Sequence, residues 1–128
     1  MAHAESPPVV ERFVSALRAR DFDGIAGCFG ADSLLVAVVP PGIREDTGPE
    51  EIAARYRRWL DDGLATVHEA EATPFSDLTR IRYVVEAEDG TAYEQTAYAE
   101  IEADRIARVR IACSGHRPAA EPAEALAA

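Results

Sequence analysis

The second half of the chain contains four segments in which apolar and polar residues alternate. They are TVHEAEATPF, TRIRYVVEAE, TAYEQTAYAEIEA and RIARVRIAC, and they cover most of the sequence from residue 66 to residue 113. A period of two is typical of β-strands that bury one face. The sequences Glu88-Asp89-Gly90 and Ala103-Asp104-Arg105 separate the last three segments, and Asp-Gly is a strong hairpin signal. The alternation therefore predicts a four-stranded antiparallel meander that packs against a core.

The alternation also assigns the side chains of this meander to two faces. A shift of one position in any strand would bury a row of charged residues, so the faces are well defined. On the predicted outer face arginine and glutamate lie side by side, and such cross-strand pairs contribute about 0.2–1 kcal/mol each. The predicted inner face carries His68, Ala70, Ala72, Ile81, Tyr83, Val85, Tyr93, Gln95, Ala97, Ala99, Ile101, Ala107, Val109, Ile111 and Cys113.

The first half of the chain begins with two predicted helices. The first runs from Pro8 to Arg20, because apolar residues recur there at spacings of three and four. Asp21 is the predicted N-cap of a short second helix that ends at Gly30. The apolar face of the first helix carries Val10, Phe13, Val14 and Leu17.

A strand, a loop and a third helix complete the first half. The apolar run SLLVAVV predicts a buried strand that ends at Pro40-Pro41, because proline does not donate to a sheet. The polar segment GIREDT is a predicted loop. The sequence GPEEIAARYRRWLDDG predicts a helix with Pro49 in its first turn and Gly63 beyond its end.

These elements predict an α+β fold, in which a strongly curved, mostly antiparallel sheet wraps around about three helices. The length of 128 residues is that of a single domain. We expect the domain to span residues 8–116. A flexible N-terminus at residues 1–7 precedes it, and a mobile tail rich in Ala, Pro and Glu follows at residues 117–128.

Composition excludes several classes of function. The net charge of −10 disfavours nucleic acids and anionic membranes as partners. The absence of lysine excludes Schiff-base chemistry, and no His, Cys and carboxylate set has metal-ligand spacing, so we expect no cofactor and no metal. No signal peptide is recognisable, which predicts a cytoplasmic protein, and the abundance of Ala and Arg indicates a bacterial source. Cys28 and Cys113 are predicted to be small buried hydrophobes.

The alanines on the predicted inner face leave space beneath the helices, and two interpretations follow. In one, large helix side chains fill that space and produce an ordinary packed core: Phe13, Leu17, Tyr56 and Trp59. In the other, the space is a cavity with a polar lining: His68, Tyr83, Tyr93 and Gln95. Both interpretations stay open at the level of the sequence.

The order of elements and several motifs resemble the nuclear transport factor 2-like superfamily, in its SnoaL-like branch. The residues that carry the resemblance are VERFVSALRARDFDGIAGCFGAD, the strand before Pro40-Pro41, TGPEEIAARYRRWL and the hairpin IEADRIARVRI. The resemblance covers residues 8 to about 116. It implies a cone of curved sheet around three helices, a pocket at the mouth of the cone and frequently a homodimer.

The resemblance does not extend to the catalytic residues of two enzyme groups with this fold. Ketosteroid isomerases place a general-base aspartate at the end of the first strand, where this chain has Val39 or Ala37. Their oxyanion-hole tyrosine corresponds to Phe13, and their second acid falls near Gln95–Ala97. Epoxide hydrolases of the fold use an asparagine and inward aspartates, and this chain contains no asparagine. Ketosteroid isomerisation is therefore disfavoured.

SnoaL-type polyketide cyclases use an inward Asp and His as acid and base. The resemblance suggests His68 as the imidazole, since a pKa near about 6.5 suits proton transfer. Asp46, beside Arg44 in the predicted loop at the mouth, is the only aspartate placed to approach, although both residues also fit solvated loop charges. His116 is a second imidazole candidate that also fits a terminal surface position.

Two functional hypotheses result. The first is a pocket protein for a mostly apolar or aromatic small molecule; its catalytic form would use proton transfer for cyclisation, isomerisation or dehydration. Its predicted catalytic residues are His68 and Tyr83, and its predicted ligand-binding residues are Phe13, Tyr56, Trp59, Tyr93, Gln95, Arg44 and Asp46. The second is a non-catalytic homodimeric association module with a filled core.

Overall fold

The computed structural model describes residues 7–39, 42–61 and 65–117. Its elements are α1 Pro8–Ala19, α2 Phe22–Ala26, β1 Phe29–Val39, β2 Gly42–Thr47, α3 Pro49–Asp61, β3 Thr66–Phe75, β4 Leu78–Glu86, β5 Ala92–Glu102 and β6 Arg105–Arg117. The expectations for residues 1–6, Pro40-Pro41, Gly63 and residues 118–128 lie outside the described residues.

The six strands form one curved, unclosed mixed sheet in the order β2-β1-β6-β5-β4-β3. β1 pairs with β6 in parallel, and every other pairing is antiparallel. The predicted α+β architecture with three helices is therefore confirmed. No helix in the described ranges is long and apolar enough to cross a membrane.

The helix boundaries follow local chemistry. Arg20 ends α1 in a left-handed conformation with φ of 54°, and its N–H caps the carbonyls of the last turn. The carboxylate of Asp21 accepts a hydrogen bond from the Gly24 N–H at 3.0 Å, which confirms the predicted N-cap of α2. This helix ends at Ala26 rather than Gly30, because β1 already begins at Phe29.

The polar segment GIREDT is a strand, so its prediction as a loop was wrong. It forms β2 and pairs antiparallel with β1, with Ala37 opposite Arg44 and Leu35 opposite Asp46. β2 is an edge strand with a single neighbour, so its pairing does not require an apolar sequence. Cross-strand partners share a face of the sheet, so Arg44 and Asp46 lie on the inner face beside the buried Ala37 and Leu35.

The meander forms as predicted in β4 and β5, and its outer charges pair across strands. Arg82 bonds to Glu94, and it also bonds to Glu71 with 3.0 Å between Nη1 and Oε2. Arg108 donates to both carboxylate oxygens of Glu100 through its Nε and Nη2. The inner residues of the meander that are buried are Ala70, Ile81, Tyr83, Val85, Gln95, Ala97, Ala99, Val109 and Ile111.

The predicted inward orientation of His68 is wrong. The register between β3 and β4 shifts between His68 and Glu71, and Glu69 has a φ of 51° within this irregularity. The extra residue reverses the alternation, so Val67 is buried and the side chain of His68 is 44% exposed. A second irregularity, between Glu100 and Ile101, makes Ile106 the buried residue at the start of β6.

Large helix side chains pack over the small residues of the sheet. Phe13 of α1 contacts Tyr56 of α3 edge to face, with ring centroids 5.6 Å apart. Both are fully buried in the same core as Ala37, Ala97 and Ala99, which are fully buried as well. The small side chains of Ala37, Ala97 and Ala99 therefore allow α1 and α3 to pack closely against the sheet.

Lengthening one of these alanines tests that packing. Ala97→Leu should lower the free energy of unfolding by about 1–3 kcal/mol, because the larger side chain overpacks a closed region. Ala112→Leu on the neighbouring strand is the matched control, since Ala112 is exposed and should tolerate the change. Urea denaturation measures both. Equal stability of the two variants would contradict close packing over Ala97.

Candidate functional site

The strand directions bring a set of polar residues to one end of the inner face. The C-terminal ends of β1, β4 and β6 meet the N-terminal ends of β2, β3 and β5 there. We call this end the mouth; its inner face carries Arg44, Tyr83, Gln95 and Cys113. Tyr83 is paired with Gln95, and Gln95 is paired with Cys113.

Tyr83 and Gln95 form a buried hydrogen bond. The Tyr83 hydroxyl donates to Oε1 of Gln95 at 2.7 Å. Their strands place them directly opposite each other, so the register alone brings the two side chains together. Gln95 is buried, and Cys113 of β6 lies opposite it on its other side.

Tyr56 brings a second hydroxyl to this pair from α3. Its side chain is fully buried, and its hydroxyl has no hydrogen-bond partner among the described residues. The hydroxyls of Tyr56 and Tyr83 interact weakly, with Tyr56 on the donor side: the contact raises the pKa of Tyr56 and lowers that of Tyr83, but it falls short of the geometry of a full hydrogen bond. A buried polar group without a hydrogen bond lowers the stability of a fold by about 1–3 kcal/mol. The presence of a hydroxyl at Tyr56 therefore needs an explanation other than folding.

Burial keeps both phenols neutral. It raises the pKa of Tyr56 well above its usual range, and the neighbouring Tyr83 raises this pKa further. Burial likewise raises the pKa of Tyr83. Both groups are therefore hydrogen-bonding phenols at neutral pH and not proton acceptors.

Aromatic rings surround the Tyr56 side chain. Its ring meets Phe13 on one side and Trp59 on the other, where the centroids are 5.4 Å apart and the planes nearly perpendicular. Trp59 is half-buried, whereas Phe13 is fully buried. The structure thus brings together Phe13, Tyr56, Trp59, Tyr83 and Gln95.

Two charged residues of β2 lie further along the inner face. Asp46 forms an ion pair with Arg55 of α3, with 2.8 Å between Oδ2 and Nε and 3.4 Å between Oδ1 and Nη2. The two side chains are mostly buried. Arg44 is half-buried and has no hydrogen-bond or ion-pair partner in the described part of the chain. Arg55 was missed by the sequence analysis, because nothing local marks which arginine of α3 faces the sheet.

Two predicted site residues lie elsewhere. His68 faces outward, and its Nε2 lies 3.0 Å from Oε1 of Glu86. An imidazole in that position does not reach the inner face, which corrects its predicted place in the lining. Tyr93 is 39% exposed and therefore lies at the rim and not inside. The side chain of His116 is outside the described part.

Three concave regions lie on the surface away from this set of residues. A groove of about 590 Å³ runs along α1 and α2, and one of about 290 Å³ lies between α1 and β3. A third, of about 230 Å³, lies on the outer face of the sheet beside Phe75 and Tyr98. Their linings are open and include charged side chains, and none of the three is lined by Tyr56, Tyr83 or Gln95.

No protein-family profile matches the chain, and no curated protein matches it. Several solved structures, however, have a similar fold. A protein from Sinorhizobium meliloti assigned as a polyketide cyclase superposes with a TM-score of 0.68 at 21% identity, covering 83% of this chain and 94% of that one. A nuclear transport factor 2-like protein from Mesorhizobium loti reaches a TM-score of 0.74 at 14% identity, covering 88% and 98%.

The chain has the fold of the nuclear transport factor 2-like superfamily. An epoxide hydrolase of M. tuberculosis shares it as well, with a TM-score of 0.64 at 18% identity over 84% of this chain and 81% of that one. At these identities the likeness shows the nuclear transport factor 2-like fold alone. The function has to be argued from the residues of the site.

The buried phenols predict an alkaline loss of stability. Each folded pKa lies above the unfolded value near about 10, so the unfolded state releases the proton first. The contribution of the two tyrosines to the free energy of unfolding is therefore complete below a pH of about 10. Above that pH it falls, by up to about 1.4 kcal/mol per pH unit for each tyrosine.

Urea denaturation from pH 8 to 11.5 measures this loss. The variant Tyr56→Phe/Tyr83→Phe should show a shallower decline above pH 10 than the wild-type protein. Parallel declines in the two proteins would contradict the burial of the phenols.

Proposed function

We propose that the protein binds a small, mostly apolar or aromatic molecule at the mouth and stabilises negative charge on an oxygen of that molecule. The observation that carries the proposal is the buried Tyr56 hydroxyl, which has only a weak contact with Tyr83 and no full hydrogen bond among the described residues, next to the Tyr83–Gln95 pair. A ligand oxygen would supply the missing partner. Phe13 and Trp59 on either side of Tyr56 would contact the apolar part of the ligand.

The chemistry of this arrangement is that of an oxyanion site. A neutral phenol in an apolar, water-poor region stabilises developing charge far better than the same group in water. Cyclisation, isomerisation and dehydration each pass through such charge on a carbonyl oxygen. The fold is shared with a protein assigned as a polyketide cyclase and with an epoxide hydrolase, which supports small-molecule chemistry as the setting.

Neither His68 nor Asp46 is placed to act as a general base at this site. His68 faces outward and contacts Glu86, and the carboxylate of Asp46 is already bound by Arg55. Tyr83 takes the role of a positioning residue, because its hydroxyl holds the Gln95 carboxamide in place.

Two matched compounds test the site. Calorimetric titration should show that 4-acetylbiphenyl, which carries a carbonyl oxygen, binds about 10-fold more tightly than 4-ethylbiphenyl, which lacks it. In Tyr56→Phe the two compounds should bind equally, with the circular dichroism of the fold unchanged. An undiminished preference in Tyr56→Phe would remove Tyr56 from the site.

A second candidate function is a homodimeric association module with a filled core. The complete burial of Phe13 and Tyr56 over the alanines supports a filled core. On the outer face Val38 and Ile43 lie opposite each other on β1 and β2, and they are 58% and 67% exposed. An exposed apolar pair beside charges of both signs suits a second copy of the chain.

Light scattering tests the association. The wild-type protein should have about twice the 13.8 kDa mass of the chain. Ile43→Asp should lower it to the mass of one chain, whereas Ala103→Asp, in the exposed β5–β6 turn, should leave it unchanged. A single-chain mass for the wild-type protein would contradict the association.

A further inference from the structure

The groove on the outer face of the sheet combines aromatic rings with arginines. It has a volume of about 230 Å³ and is lined by Phe75, Leu78, Tyr98, Glu100, Arg108 and Arg110. These residues form three cross-strand pairs: Phe75 with Leu78, Glu100 with Arg108, and Tyr98 with Arg110. Cross-strand partners share a face of the sheet, so the register alone brings these side chains together.

Two rings form the apolar side of the groove. The ring centroids of Phe75 and Tyr98 are 5.5 Å apart, and the ring planes are tilted by 59°. Phe75 lies at the end of the edge strand β3 and is 51% exposed, and Leu78 and Tyr98 are half-buried. The two rings therefore present an aromatic surface to solvent, outside the buried core.

One arginine of the groove is engaged and the other is not. Arg108 donates two hydrogen bonds to Glu100, and Glu102, which does not line the groove, also acts on Arg108. The pKa of Glu100 is lowered by the hydrogen bond from Arg108 and also by the charge of Arg110, so both guanidinium groups share this one carboxylate. Arg110 has no hydrogen bond or ion pair with the residues that the structure describes, since its cross-strand partner is Tyr98 and not an acid.

We propose that this groove is a second binding site, which takes a small planar aromatic acid. The ring of the ligand would lie against Phe75 and Tyr98, and its carboxylate would accept hydrogen bonds from Arg110. A guanidinium presents parallel N–H groups that match a carboxylate. The site goes beyond the proposed function, because it shares no residue with the mouth or with the exposed pair of Val38 and Ile43.

The size of the groove limits the ligand to one ring or two fused rings. Its volume of about 230 Å³ is smaller than the about 300–1,000 Å³ of sites that enclose drug-sized molecules. Because the groove is open to solvent, an ion pair formed in it changes the affinity by up to about 5-fold only. The chain carries a net charge of −10, so any preference for an acid must come from a local cation such as Arg110.

Two probes of one shape test the site by NMR titration of the backbone amides: 2-naphthoate and the neutral 2-naphthamide. Both should shift the amides of Tyr98 and Arg110, and 2-naphthoate should bind about 5-fold more tightly. Arg110→Gln should remove this preference and leave the binding of 2-naphthamide unchanged. Phe75→Ala should weaken the binding of both compounds to a similar degree, because it removes a ring from the apolar side.

Arg80→Gln is the matched control. Arg80 is exposed, lies opposite Tyr98 on β4 and does not line the groove, so its loss removes the same charge and should leave the preference intact. Equal affinities of the two probes, or an undiminished preference in Arg110→Gln, would overturn the acid site.

The position of the shifts separates this site from other occupants and from the mouth. Shifts confined to the amides around Tyr56 and Tyr83 would place 2-naphthoate at the mouth, which would overturn the groove site and leave the proposed function standing. An absence of shifts at Tyr98 and Arg110 would overturn it as well. Shifts of these two amides that grow with protein concentration before any probe is added would show that a second copy of the chain covers the groove, and would also overturn the proposal.

Discussion

The parallel pairing of β1 with β6 is the contact on which the rest of the structure depends. It joins the β1–β2 hairpin to the meander, so one continuous sheet curves around the helices. α3 packs against β1 and β2, and the shared sheet therefore places Tyr56 within reach of Tyr83 on β4. The same pairing puts Arg44 and Gln95 on one face of the sheet, although 50 residues lie between them in the sequence.

The small residues of the inner face now have a physical role. Ala37, Ala97 and Ala99 are fully buried, because Phe13 and Tyr56 pack in the same core. That packing brings a hydroxyl to the centre of the fold without a partner. The packed core and the polar lining that the sequence suggested are thus two regions of one interior. The region beneath the helices is closed, and the region around Tyr56, Tyr83 and Gln95 is polar.

Strong local periodicity made most of the fold predictable, and tertiary contacts account for what was missed. The alternation in β4 and β5 placed Tyr83 and Gln95 correctly, and their hydrogen bond follows from that register. The strand β2 was missed because an edge strand needs no apolar run. The irregularity at Glu69 was missed because a positive φ in a non-glycine residue has no sequence signal, and it turned His68 outward. The approach of Tyr56 depends on how α3 packs.

The free energy of unfolding of Tyr56→Phe, measured in urea without any ligand, tests the central claim most directly. If the Tyr56 hydroxyl is kept for a ligand and not for folding, its removal should leave the stability unchanged or raise it by up to about 1–3 kcal/mol. Tyr83→Phe should instead lose about 1–2 kcal/mol, because it leaves Oε1 of Gln95 unsatisfied. A loss in Tyr56→Phe as large as that in Tyr83→Phe would show that the hydroxyl serves the fold, and would contradict the account.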